Sequence, residues 1–155
     1  MNTMTMRALI LGLLVAVWVW IAAAARLNLS NWAVFVALGC FFAAGGGVPG
    51  LQKTIVGTLS GVVWVLIALA VNTAIGRGSV VHAVVLGATA CALVLQARVP
   101  LLSFTVAAFG GAGVAFGLGA TTLQQGIRAA IALVVGAVLG FAADRGADII
   151  RTRRV

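Results

Sequence analysis

The position of the charges constrains this chain more than any other feature. Ten Lys plus Arg and two acids, Asp144 and Asp148, are all the charge it has. Between consecutive charges lie six uncharged stretches, 8–25, 27–52, 54–76, 78–97, 99–127 and 129–143. Their lengths are 18, 26, 23, 20, 29 and 15 residues. A membrane-crossing helix needs about 20 predominantly apolar residues. Five stretches meet this as they stand. The sixth meets it if it starts at Ile127 and Arg128 snorkels its head to the interface. With 63% apolar and 8% charged residues, the chain cannot clothe a soluble domain, which carries about 25% charge. Disorder is excluded too, because disordered chains are polar. The stretches lack the alternation of a membrane β-barrel. The expectation is an all-α polytopic membrane protein of six transmembrane helices. Residues 1–155 form one transmembrane domain, with halves at about 7–76 and 78–143 and a short basic cytoplasmic tail at 144–155.

The first stretch has two readings. Arg7, an apolar run and Ala22–Ala25 have the form of a signal peptide with a small-residue cleavage site. Trp18 and Trp20 fit the membrane interface of a retained helix better, and a retained helix is expected. With the N-terminus inside, Arg7, Lys53, Arg98, Arg145, Arg151, Arg153 and Arg154 are cytoplasmic, and Arg26, Arg77 and Arg128 are outside. Seven against three favours cytoplasmic N- and C-termini.

The chain resembles itself. A shift of 72 carries Ala25-Arg26 onto Ala97-Arg98, Leu29 onto Leu101, Gly39 onto Gly111 and Gly45 onto Gly117. A shift of 75 carries Lys53 onto Arg128 and Gly61 onto Gly136. Three helices per half make the second half enter the membrane inverted, a 3+3 inverted-topology repeat of the kind found in transporters. The alternative is that small residues recur simply because membrane helices pack closely.

The second and fifth stretches correspond in this repeat, and both dissolve into glycine. One runs into Gly45-Gly46-Gly47-Val48-Pro49-Gly50, the other through Gly117 and Gly119 to Thr121-Thr122-Leu123-Gln124-Gln125-Gly126. Paired glycine-interrupted helices point to a site between the halves, unless these are ordinary loop and packing glycines. The expected pathway or gate residues are Trp32, Gly45, Gly46, Gly47, Ser60, Trp64, Ser103, Phe104 and Gly117. Gly57/Gly61, Gly113/Gly117 and Gly136/Gly140 place small residues on one helix face. Such faces serve packing within a protomer or a homo-oligomer, and an oligomer is expected.

Chemistry is sparse. No pairing of acid, base and nucleophile marks an enzyme, and none is expected. Cys40 and Cys91 read as buried apolar thiols, and no metal-ligand spacing or cofactor motif is present. Gln52-Lys53-Thr54 lacks the glycine and the preceding strand of a phosphate loop. His82 is either an unremarkable interfacial residue or a pH sensor, since imidazole titrates near neutrality. Ser60, Asn72, Thr89, Ser103 and Thr105 either bond between helices or line a narrow path. The positive charge sits at span ends and in the tail, which fits lipid headgroups and not nucleic acid.

Two segments carry a family resemblance. Trp32-Ala33 through the triple glycine to Leu59-Ser60-Gly61-Val62-Val63-Trp64 is one. Gln96-Ala97-Arg98 with Leu101-Leu102-Ser103-Phe104, Phe109, Gly111 and Phe116 is the other. Together they resemble the YcdZ-like family of small bacterial inner-membrane proteins, a family of unknown function. The family's pattern has Cys-Pro where this chain has Ala44-Gly45. The resemblance implies a multi-pass protein of the bacterial inner membrane and brings no substrate, cofactor or catalytic residue with it. The functional expectation is a channel or facilitator for a small neutral or weakly polar solute. The alternative is a non-transporting membrane scaffold or assembly protein.

Overall fold

The computed structural model describes residues 3–27, 29–76, 78–120 and 122–152. Arg77, Thr121, Arg153 and Arg154, used above, lie outside the described residues, as does the side chain of Arg151. The elements are α1 (Thr3–Ala24), α2 (Asn31–Ala43), α3 (Gly47–Ile75), α4 (Ser79–Leu95), α5 (Thr105–Gly117) and α6 (Leu123–Thr152). Two 3-10 turns, Gln96–Arg98 and Pro100–Leu102, join α4 to α5. Among the described residues no strand occurs. The segment from Asp144, read above as a tail, continues α6 without a break to Thr152.

Four spans, Met4–Ala24, Gly47–Ile75, Ser79–Arg98 and Leu123–Ile150, are long and apolar enough to cross a membrane. The other two helices, α2 and α5, have 13 residues each. At 1.5 Å per residue that is about 20 Å, short of a hydrocarbon core of about 30 Å. The cause is local. Gly45 (φ 92°) and Gly119 (φ 61°) take a left-handed conformation that a side chain disfavours. Each closes its helix with the same paired bonds. Gly45 N–H donates to the Phe42 carbonyl and Gly46 N–H to that of Phe41. Gly119 N–H donates to Phe116 and Ala120 N–H to Ala115. This is the Schellman arrangement of a helix C-terminus. Gly45 and Gly119 are 74 residues apart, as are Phe35 and Phe109, Gly39 and Gly113, and Phe42 and Phe116. The two short helices therefore line up at 74, and not at the 72 that paired Gly39 with Gly111 and Gly45 with Gly117. Arg98 to Thr105 is two residues longer than Arg26 to Asn31, and that loop absorbs the difference.

In chain order the helices run long, short, long, long, short, long. α3 and α6 lie side by side and antiparallel, with Leu66 against Gly126 at one end and Gly47 against Asp144 at the other. α5 packs on α3, α2 packs on α6, and α2 meets α5. α4 flanks α3, and α1 flanks α6. The interior between these layers is built from small residues, among them Ala33, Ala37, Ala108, Ala112, Ala132 and Ala137. Glycine allows the backbones to meet. A Cβ at Gly61 would strike the Ala108 carbonyl, one at Gly111 the Thr58 carbonyl, and one at Gly136 the Val34 carbonyl. Gly57 and Gly140 are likewise closed, against Ala107 and Phe41. With Gly117, whose Cβ would strike the Trp32 ring, five of the six glycines offered above for an oligomer face are spent inside the protomer. Gly39 and Gly113 have open space where a Cβ would stand.

Candidate functional site

The residues singled out from the sequence fall into four places. The first is the Gly45–Gly47 break. Starting α3 at Gly47 leaves its first N–H groups without helical partners. Gly47 N–H donates to Asp144 Oδ2 at 2.9 Å. A Cβ at Gly46 would stand 3.1 Å from that oxygen, so the missing side chain is what admits the carboxylate. Asp144 comes from α6, 97 positions away, and is buried. Its other oxygen, Oδ1, is 2.9 Å from an Arg7 guanidinium nitrogen, which also approaches Asp148 at 3.6 Å. A buried carboxylate at the positive end of a helix and beside a guanidinium is neutralised from two sides. One contact ties α1, α3 and α6 together. In the sequence Arg7 served as a span marker, signal-peptide flank and topology charge, and Asp144 as the start of the tail. The legible clue was that Asp144 is one of just two acids in the chain.

The second place lies halfway along α3. Trp64 Nε1–H donates to Gln96 Oε1 at 3.1 Å, Gln96 Nε2 donates to Ser60 Oγ at 3.1 Å, and Ser60 Oγ donates to the Gly57 carbonyl at 2.7 Å. Ser60 and Trp64, four apart, share a helix face, and the 3-10 turn after α4 delivers Gln96 to it. The Phe104 carbonyl lies 3.2 Å from where a Gly57 Cβ would be, so Phe104 joins this region by its backbone. Ser103 does not join. Its hydroxyl donates to the nearby Pro100 carbonyl at 2.8 Å and is exposed. Gln96 holds the chain together and appeared in the sequence only as part of a family word. Beside Trp64, a cleft of about 200 Å3 between α3 and α4 is lined by apolar residues and Thr89.

The third place is the seam between α2 and α5. The Trp32 ring lies over Gly117, whose absent Cβ would be 2.7 Å from Cη2. Farther along, Cys40 Sγ and Val36 crowd Gly110. Side chains therefore close the seam at both points. Just beyond Trp32, a cavity of about 370 Å3 is lined by Leu27, Leu29, Ser30, Leu118, Gln125 and Arg128.

The fourth place holds His82 alone. Its Nδ1 is 3.4 Å from Nδ2 of the buried Asn72 where α4 leaves α3. The ring is exposed, and Asn72 Oδ1 finds no bond.

The chain is similar to known proteins over its whole length. The family model described as "Protein of unknown function (DUF1097)" matches residues 8–148. An Escherichia coli (strain K12) protein named "Inner membrane protein YcdZ" is 32% identical over 75% of this chain and 71% of the relative. A Salmonella typhimurium (strain LT2) protein of the same name is 31% identical over 99% of this chain and 93% of the relative. No solved structure matches.

Proposed function

We propose, from the premise that the chain belongs to the DUF1097 family, that it is a non-catalytic, multi-pass protein of the bacterial inner membrane that lets a small neutral or weakly polar solute cross. The name borne by its relatives supports the membrane. In this reading the six helices form a 3+3 inverted repeat with both termini cytoplasmic, and α2 and α5 are half-depth helices packed inside it. Support comes from the matched closures at Gly45 and Gly119. It comes also from the matched close approaches of Gly61 to Ala108 and of Gly136 to Val34. Paired short helices at equivalent positions are the arrangement that places a solute site between repeats.

The observation that carries the functional reading is the Ser60–Gln96–Trp64 chain. It is a polar ladder halfway along a 29-residue apolar helix, where hydrogen-bonding groups are costly unless used. Trp32 over Gly117 is then the closed gate of the α2–α5 seam. His82, at the end away from both acids, is the pH-sensitive element. A homo-oligomer would meet through Phe35, Gly39 and Phe42 with Phe109, Gly113 and Phe116, which lie exposed on the two short helices.

Flux into proteoliposomes tests this with urea, ammonia and short amides. The expected result is uptake above empty vesicles, raised by Trp32→Ala and lowered by Gln96→Leu. A His82→Gln variant is expected to flatten the dependence on pH between 5 and 8. No uptake of any solute by either wild type or Trp32→Ala would overturn the reading. That result would favour the second one, a scaffold that transports nothing. Its specific support is the close packing at Gly61, Gly111 and Gly136, which let backbone press on backbone.

A further inference from the structure

The cavity lined by Ser30, Gln125 and Arg128 contains an exposed guanidinium with no acidic partner among the described residues. The chain's only acids, Asp144 and Asp148, sit on α6 some 16 and 20 residues beyond Arg128 (144 − 128 and 148 − 128). At 1.5 Å per residue this is about 24–30 Å along a straight helix. Both face Arg7 instead. Arg128 also stands in the second turn of α6, near the positive end of the helix dipole, where a cation is disfavoured. The capping of that helix end adds no anion, because Thr122 and Gln125 are neutral. The equivalent break in the first half is different, since there Asp144 supplies the negative charge.

A guanidinium with no acidic partner among the described residues, a serine and a glutamine therefore line one space of about 370 Å3, walled otherwise by Leu27, Leu29 and Leu118. We infer that this cavity binds an anionic phosphate group, held by Arg128 as a paired hydrogen-bond donor, with Ser30 and Gln125 as polar neighbours. The leucine wall fits the glycerol and first methylenes of a phospholipid. A free phosphate would use the polar side alone. The inference rests on the cavity's own residues and holds whether or not the α2–α5 seam conducts.

Thermal unfolding of the full chain in a zwitterionic detergent tests it, with phosphatidylglycerol, phosphatidylcholine or inorganic phosphate added. Phosphatidylglycerol is expected to raise Tm by several degrees over phosphatidylcholine. The rise should vanish in Arg128→Gln, persist partly in Arg128→Lys, and be unchanged in the control Arg98→Gln. A rise with inorganic phosphate that also needs Arg128 would name the free anion as the source. Equal shifts in wild type and Arg128→Lys and Arg128→Gln would overturn the site. So would the absence of any shift with all three additions. If Arg128→Gln does not fold, retention of phosphatidylglycerol by native mass spectrometry of wild type against Arg128→Lys decides, and equal retention relative to Arg98→Gln overturns it.

Discussion

The breaks after α2 and after α5 end one helix in the same way and begin the next in different ways. Both close on a left-handed glycine with the same two backbone bonds. After Gly45 the chain enters α3 at once, through Gly46 and Gly47 with φ of 71° and 64°. The new N-terminus is capped from a distance by Asp144, itself held by Arg7. After Gly119 the chain takes a few more residues, and α6 caps itself. Thr122 N–H donates to Gln125 Oε1 at 3.1 Å, and Gln125 N–H donates to Thr122 Oγ1 at 3.4 Å. That is a capping box. One break is a tertiary joint and the other is local. The first cap is held by α1, α3 and α6 together, while the second is made between Thr122 and Gln125, three positions apart, beside the packing of Gly126 on Leu66.

This contrast orders the expected effects of substitution. The largest belong to what the halves share. Gly61→Val and Gly136→Val each force a side chain into a neighbouring backbone. Each is expected to cost about 3 kcal/mol or more, with loss of monodisperse protein after detergent extraction. Similar losses fit equivalent contacts, and tolerance at one site alone would break the equivalence.

The next effect belongs to the distant cap. Asp144→Ala strands Gly47 N–H and leaves Arg7 only its longer contact with Asp148 at 3.6 Å. It is expected to cost about 2–3 kcal/mol, less than a fully buried pair because Arg7 is 43% exposed. Thermal unfolding of the Asp144→Ala, Arg7→Ala and double variants would show coupling between the two sites. Additive losses would contradict the joint. Gln96→Ala removes two side-chain bonds and is expected to cost about 1–2 kcal/mol, with a change in Trp64 fluorescence. The smallest effect is Thr122→Ala, about 1 kcal/mol for a lost local cap, with Thr122→Ser near neutral. A Thr122→Ala loss as large as that of Asp144→Ala would erase the difference between the breaks.

The helical class, the membrane character and the glycine breaks were legible because each is written in runs of neighbouring residues. Lengths were less so. Uncharged stretches such as 27–52 and 99–127 measure the distance between charges, and the chain ends a helix inside them by backbone conformation at Gly45 and Gly119. The shift of 72 pairs Ala25-Arg26 with Ala97-Arg98 and Gly39 with Gly111, whereas the two helix closures stand 74 apart, a spacing that Phe35-Gly39-Phe42 and Phe109-Gly113-Phe116 also carry in the sequence. Thr122-x-x-Gln125 is a signal that could have been read as a helix start. The contacts of Asp144 with Gly47 and of Gln96 with Trp64 could not, since they join residues 97 and 32 positions apart. A charge is assigned to a tail or to a core only once its partner is known.

The inversion of the two halves is open to a direct measurement. Single cysteines introduced as Lys53→Cys and Arg128→Cys, in a Cys40→Ser and Cys91→Ser background, can be labelled in intact cells and in inverted membrane vesicles with an impermeant thiol reagent. The two positions are 75 residues apart and are paired by the shift of 75. An inverted repeat predicts that Lys53→Cys is labelled in inverted vesicles and Arg128→Cys in intact cells. Labelling of both from the same side would contradict it.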